Sequence, residues 1–221
     1  MNDVLGLLGG TFDPIHCGHL ELAREVMQGL ALRAVRLIPA GDPPHRAAPA
    51  ASAAERLAMV KLAVANYPGL EVDAREIDRP GRSYTVLTLE ELRAEAPSRH
   101  LALIIGTDAL LGLTTWHRWR DLFGLAHLVV VARPGVTIDG RLPEPLAHEW
   151  DRRITNDPGT LRREAAGRIV RQVITPHAIS ASAIRAALGR HDIAAVRGLL
   201  PAAVLAYIER NRIYEPATDA T

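Results

Sequence analysis

The sequence predicts an α/β fold: a doubly wound, mostly parallel sheet with a small helical portion at the C-terminus. Three observations predict it. Five short apolar runs recur between residues 4 and 174. Helical patterns separate most of them, as right-handed βαβ units require. From residue 179 onward the patterns are helical alone.

The first strand is Val4–Leu8, which leads into glycines. A helix follows over Leu20–Leu30, and Val35–Ile38 is the second strand. Ala53–Asn66 is the second helix, with Ser52 and Glu55 spaced as a capping box ahead of it. Tyr84–Ala96 puts Val86, Leu89 and Leu92 on one face of a third helix. Leu101–Ile105, Leu128–Val131 and Ile169–Ile174 complete the strands. Four of the five strands are rich in residues that fit both faces of a buried parallel sheet. Residues 47–54 read as a low-complexity loop that feeds the second helix. Residues 135–167 are polar and weakly patterned, and are expected as an insertion or long loop. Six Arg between positions 152 and 171 make this stretch basic, which suits a solvated face or a contact with a partner. Ile179–Leu188, Asp192–Leu200 and Pro201–Arg210 read as three short helices, with Pro201 in a first turn. Residues 1–178 therefore read as the sheet-building core, and 179–221 as a helical part of the same domain. Ligands of such sheets bind outside the carboxyl ends of the strands. The loops that follow strands are where chemistry is expected.

Composition excludes several classes. The 221 residues carry 26 Lys and Arg against 25 Asp and Glu, a formal net charge of +1. That balance argues against a broad footprint for nucleic acid. Lys61 is the single lysine, and it stands in M-V-K-L-A-V with no glycine beside it. A Walker A loop is thereby excluded, and a Schiff-base mechanism would depend on that one residue. Cys17 is the single cysteine. It allows neither an internal disulfide nor a cysteine-rich zinc site, so a reducing cytoplasm is the expected location. No apolar run is long enough to span a bilayer, and Asp3 with the short V-L-G-L-L run makes no signal peptide. Neither nucleic acid nor membrane is expected as a partner. Assembly into a homo-oligomer is left open.

The loop after the first strand reads G9-G10-T11-F12-D13-P14-I15-H16-C17-G18-H19. Its two leading glycines let backbone approach a ligand closely. Gly18 allows tight packing as the helix begins, and the helix N-terminus offers N–H groups to phosphate. His16 and His19 are three apart and project to one side, where imidazoles can donate to phosphate oxygens. A metal pair is the other chemical meaning, but no further ligands follow at fitting spacing. Cys17 reads as a spacer. The absence of GxGxxG argues against a dinucleotide fingerprint.

This segment, GGTFDPIHCGHL, resembles the opening motif of the nucleotidyltransferases that carry an HxGH signature. In its extended form it is similar to that of the bacterial nicotinate-nucleotide adenylyltransferases. Further segments along the chain are similar as well. P39-A40-G41-D42-P43-P44-H45-R46 resembles the family's P-x-x-x-P-P-H-K, with Arg46 at the lysine position. R82-S83-Y84-T85-V86-L87-T88-L89 resembles S-Y-T-x-x-T-L. G106-T107-D108-A109-L110 and W116-H117-R118-W119 resemble G-x-D-x-L and W-x-x-W. I179-S180-A181-S182-A183-I184-R185 resembles I-S-S-T-x-I-R, with Ala181 and Ser182 as departures. The resemblance extends from residue 4 to Tyr214 and is weakest over 135–167.

The resemblance implies a Rossmann-like core and adenylyl transfer from ATP to nicotinate mononucleotide, in NAD biosynthesis. It implies His16 and His19 as the catalytic pair. ATP would be bound by Gly9, Gly10, Thr11, Phe12, His16, Gly18, His19, Gly106, Asp108, Arg133, Ser180, Ser182 and Arg185. Nicotinate mononucleotide would be bound by His45, Arg46, Ser83, Tyr84, Thr85 and Trp116. Ser83 would cap a helix whose first N–H groups read the nicotinate carboxylate. Trp116 would stack on the pyridine ring, and Trp119 would belong to the core. Mg²⁺ would arrive with ATP and need no dedicated protein ligand. Three alternatives stay open. One is the same fold acting on nicotinamide mononucleotide or pantetheine phosphate. The others are a non-catalytic nucleotide-binding regulator and a metal hydrolase built on His16 and His19.

Overall fold

The structure is a computed structural model in which residues 3–43, 48–132, 134, 138 and 142–215 are described. Seven strands form its sheet: β1 (Val4–Gly10), β2 (Ala34–Pro39), β3 (Leu70–Val72), β4 (His100–Gly106), β5 (His127–Ala132), β6 (Ile154–Thr155) and β7 (Ile169–Val173). They lie in the order β3-β2-β1-β4-β5-β7-β6. Every pairing is parallel. From β1 the chain winds outward through β2 to β3, then returns to β4 and winds the other way. The reversal falls between β1 and β4, where Leu8 pairs with Leu37 on one side and with Ile104 on the other. A crevice therefore opens beyond the carboxyl ends of β1 and β4.

Side chains of one strand alternate between two cores. Val4 and Leu8 of β1 join one, while Leu5 and Leu7 join the other. Helices cover both faces: α1 (Cys17–Gly29), α2 (Ala53–Val64), α3 (Arg75–Asp78), α4 (Thr85–Glu95), α5 (Thr107–Leu111), α6 (Leu122–Leu125), α7 (Glu144–Arg153), α8 (Thr160–Arg163), α9 (Ala181–Leu188), α10 (Ile193–Val196) and α11 (Ala202–Asn211). Leu20, Ala23 and Val26 of α1, Met59 and Val60 of α2, Ile184 of α9 and Val204 and Ile208 of α11 fill the first core. Val86, Leu89 and Leu92 of α4, with Leu146 and Trp150 of α7, fill the second. The C-terminal helices thus share a core with the sheet.

The sequence expectations and the structure differ in places. The described part of 135–167 is built into the fold. It contains α7, β6 and α8, and β6 is the edge strand beside β7. Only Ile138, Leu146, Trp150 and Leu161 there are buried apolar anchors. Four anchors among many arginines leave no visible period. The three-residue β3 and four-residue α3 were also beyond pattern reading, for lack of length. Ser52 and Glu55 form the expected capping box on α2. Pro201 is the N-cap of α11 rather than part of its first turn. Ser83 does not cap α4. Tyr84 is the N-cap residue, and no side chain caps that helix. The Ser83 hydroxyl instead accepts the Gly41 N–H at 2.9 Å, so it ties a neighbouring loop to the start of α4.

Candidate active site

The loop after β1 turns into α1 with His16 as N-cap residue in extended backbone. The backbone N–H of His16 donates to Nδ1 of His19 at 3.3 Å. The two imidazoles are stacked, with centroids 3.7 Å apart and planes at 19°. Phe12 sets its ring edge-on to His19 at 5.1 Å. Its side chain is in the core at 3% exposure, so it supports His19 and does not line the crevice. His16 is 7% exposed, and its Nδ1 has no hydrogen-bond partner among the described residues. Burial lowers its pKa to about 4, partly offset by a backbone hydrogen bond. His16 is therefore a neutral donor at pH 7. Cys17 is half-buried, and burial pushes its thiol pKa up, which suits a spacer and not a nucleophile. The first turn of α1 carries no acidic residue that would oppose an anion.

The crevice has a volume of about 930 Å³, within the usual range for a substrate site. Gly9, Gly10, Thr11, His16, Gly18 and His19 line it from the β1 side. Gly106 and Asp108 line it from β4 and α5. Ser83, Tyr84, Thr85 and Trp116 line it from α4 and the following layer. These twelve positions between residues 9 and 116 are thus drawn from three separate segments onto one cavity; the sequence spread them along a hundred residues. Trp116 is half-buried at the wall, while Trp119 is 7% exposed and packs edge-on to Phe123 in the core.

Ser180, Ser182 and Arg185 do not line the crevice. Ser180 caps α9 by accepting the Ala183 N–H at 3.5 Å. Arg185 donates to the Asp13 carbonyl at 2.6 Å and to the Ser182 hydroxyl at 3.4 Å. His45, Arg46 and Arg133 lie outside the described residues.

Several lining residues escaped the sequence reading. His117 stands at the crevice with its ring centroid 4.5 Å from that of Tyr84. Thr175, Pro176 and His177, after β7, line the crevice beside α1. His177 lies 3.6 Å from Glu25 of α1, and the same carboxylate accepts the Thr175 N–H at 2.7 Å. Position directly after a strand was the available signal for these three. Glu76 of α3 is 8% exposed and lines the crevice. It accepts the Thr88 hydroxyl at 2.7 Å, and burial raises its pKa. Nothing in the sequence marks it.

The lining is thus rich in donors: imidazole N–H groups, hydroxyls, glycine backbone and two helix amino ends. Such a set suits phosphate and carboxylate oxygens. Among the described residues no group of three His, Cys, Asp or Glu side chains is placed to hold a metal ion. No described helix is long and apolar enough to cross a membrane.

Comparison with known proteins gives a consistent result. The profile of the cytidylyltransferase-like family matches residues 7–187. A "probable nicotinate-nucleotide adenylyltransferase" of Halorhodospira halophila (strain DSM 244 / SL1) is 52% identical over 213 residues, spanning 96% of this chain and 93% of its own. A protein of the same name from Dechloromonas aromatica (strain RCB) is 48% identical over 216 residues, spanning 97% and 99%. Among solved structures, Plasmodium falciparum nicotinic acid mononucleotide adenylyltransferase complexed with NaAD superposes with a TM-score of 0.71, covering 96% of this chain and 97% of that one. At 14% identity, this last likeness is one of fold.

Proposed function

The chain belongs to the cytidylyltransferase-like family and, within it, to the nicotinate-nucleotide adenylyltransferases, and from that premise we infer that it joins the adenylyl group of ATP to nicotinate mononucleotide. The products are nicotinate adenine dinucleotide and pyrophosphate, and the step belongs to NAD biosynthesis. One observation carries the choice of acceptor. The uncapped amino end of α4 opens into the same crevice as His16 and His19. Free N–H groups at a helix amino end favour a carboxylate over a neutral amide.

In the reaction a phosphate oxygen of the mononucleotide forms a bond to the α-phosphorus of ATP. The bond from that phosphorus to the bridging oxygen breaks, and pyrophosphate leaves with the electron pair. The nucleophile is already an anion, so no base has to create it, and no covalent enzyme intermediate is required. Catalysis is alignment plus stabilisation of charge. His19 accepts the His16 N–H at Nδ1, which in the neutral ring leaves the proton on Nε2. Nε2–H then donates to a phosphate oxygen. His16, neutral at pH 7, donates as an uncharged imidazole. Tyr84 and Thr85 present the carboxylate-binding amides, Trp116 stacks on the pyridine, and Asp108 accepts from a ribose hydroxyl. His45 and Arg46 are assigned to the mononucleotide, and Arg133 to the leaving pyrophosphate; Ser182 and Arg185, which lie off the crevice, are assigned no contact with it.

Mg²⁺ is proposed as the ion carried by the triphosphate, where it would disperse phosphate charge. The donors lining the crevice suit phosphate oxygens, and no dedicated protein ligand is assigned to the ion. A cytoplasmic location is proposed to go with this role. Incubating the purified protein with ATP and, separately, nicotinate mononucleotide, nicotinamide mononucleotide or pantetheine phosphate tests the reading. Nicotinate adenine dinucleotide with equimolar pyrophosphate is expected from the first acceptor. ATP binding without pyrophosphate release would replace this reading with a regulatory one.

A further inference from the structure

Arg56 is the largest puzzle that the reaction leaves unexplained. It is a charged side chain of α2 with 1% exposure, deeper than any other described charged residue. Burial lowers its pKa, with the charge of Asp13 acting the other way. A buried guanidinium persists only where its donors are satisfied. Here they are satisfied by carbonyls of three segments. Arg56 donates to Thr11 after β1 at 2.7 Å. It donates to Ala40 and Gly41 after β2 at 2.6 and 3.1 Å. It donates to Ala51, just before α2, at 3.3 Å.

Asp13 completes the arrangement from the other side. Its carboxylate accepts the Ala50 and Ala51 N–H groups at 2.8 and 3.1 Å, and the Tyr214 hydroxyl at 2.8 Å. The loop that carries His45 and Arg46 is therefore gripped at its start, by Arg56 on Ala40 and Gly41, and at its end, by Asp13 on Ala50 and Ala51. The same two side chains belong to, or bind, the loop that leads to His16 and His19. Three of Arg56's four acceptors lie in the 40–51 segment and one in the β1 loop.

We propose that Arg56 is a positioning residue for the transfer: with Asp13 and Tyr214 it forms a buried clasp that sets the mononucleotide loop in register with the phosphate loop after β1. This rests on the adenylyl-transfer reading and extends it to a residue that touches neither substrate. A planar fork is required, because four carbonyls in three directions exceed what one ammonium can reach. The clasp matters chiefly for the acceptor, since the β1 loop is also held by the start of α1.

Steady-state kinetics with ATP and nicotinate mononucleotide test this on the intact protein, on Arg56→Lys and on Tyr214→Phe, with melting curves of each. The expected result is a KM for nicotinate mononucleotide raised about tenfold or more in Arg56→Lys, with the KM for ATP changed less than about threefold. Tyr214→Phe removes only one bond of the clasp at the rim and should show the same bias in smaller measure. A loss of folded fraction lowers turnover alone and moves neither KM, so the bias separates positioning from mere folding. Unchanged KM values in both variants, or equal rises for both substrates, would overturn the proposal. Should Arg56→Lys fail to fold, Tyr214→Phe decides by the same bias. Absence of transfer by the unaltered protein would instead overturn the underlying reading, so the two failures are distinct.

Discussion

The backbone N–H of His16 points at Nδ1 of His19, 3.3 Å away, while the two rings lie stacked 3.7 Å apart. This pairing assigns the two histidines different work. His19 has its tautomer set by a backbone donor and its edge supported by Phe12. His16 is buried and neutral, and it carries the backbone that sets its partner.

Replacement of His19 by Ala should therefore lower turnover by about a hundredfold or more, the usual cost of losing one well-placed donor. The fold should stay intact, since the ring lies at the crevice wall. Initial rates together with a melting curve check this. Near-normal turnover in a well-folded His19→Ala protein would remove His19 from the catalytic role.

The pKa of His16 also fixes a pH dependence of stability. Its folded value is about 4, below the unfolded value of 6.5. The unfolded chain thus takes up the proton first, and stability falls as pH drops from about 6.5 towards 4. Burial lowers the pKa of His127 in the same direction. The His16 contribution is of the order of 1–3 kcal/mol across that window. His16→Asn should flatten that part of the curve. Denaturant titrations at several pH values would show it, and an equally steep acid loss in the variant would count against the assignment.

Thr85 occupies the first position of α4, after Tyr84 in extended backbone. Proline is accepted at such a position and deletes one N–H. Thr85→Pro should leave the helix formed yet lower kcat/KM for nicotinate mononucleotide by about tenfold, at about 1.4 kcal/mol per decade. The rate with nicotinamide mononucleotide should change less. In the unaltered protein nicotinate mononucleotide should be the better substrate. Equal loss with both acceptors would mean that this amide does not read the carboxylate.

Gly41 is pressed against the backbone of α3, and a Cβ there would run into the Glu76 carbonyl. Because that neighbour is backbone, it cannot swing away. Gly41→Ala should destabilise the protein by about 1–3 kcal/mol. It should also raise the KM for nicotinate mononucleotide, because Gly41 is held by both Arg56 and Ser83. Unaltered stability and KM would show that the loop adjusts freely.

Arg46 tests a departure visible in the sequence alone. Arg46→Lys should be tolerated, and Arg46→Ala should weaken the mononucleotide more than ATP. Comparison of the two KM values decides it. An equal effect on ATP would displace the loop from the acceptor side.

Most of the frame was legible because it is periodic or carries local signals. The five longer strands are short, mostly apolar runs, and α2 is announced by Ser52 and Glu55. The glycine-rich loop ahead of His16 and His19 is a local pattern that needs no knowledge of distant partners. β3 and β6 were not legible, being three and two residues long, and their pairing is decided by the strands beside them. Residues 142–163 looked like loop because Leu146, Trp150 and Leu161 are sparse among charged neighbours. Ser83 looked like a helix cap because spacing reports proximity along the chain, while its hydroxyl is used by Gly41 from another loop.

The sequence by itself determined the strand–helix alternation, the glycine-rich turn after β1, the two histidines on one side of a helix start, and the family. All of these depend on residues within a few positions of one another. Only the tertiary structure decided that Phe12 supports a histidine, that Arg185 and Ser182 lie off the described crevice, and that Glu76 and His117 line it. It alone revealed Arg56 as the junction of three segments. An arginine inside an amphipathic helix reads as solvent-exposed in one dimension. Its burial is possible because carbonyls from residues 11, 40, 41 and 51 converge on it in three.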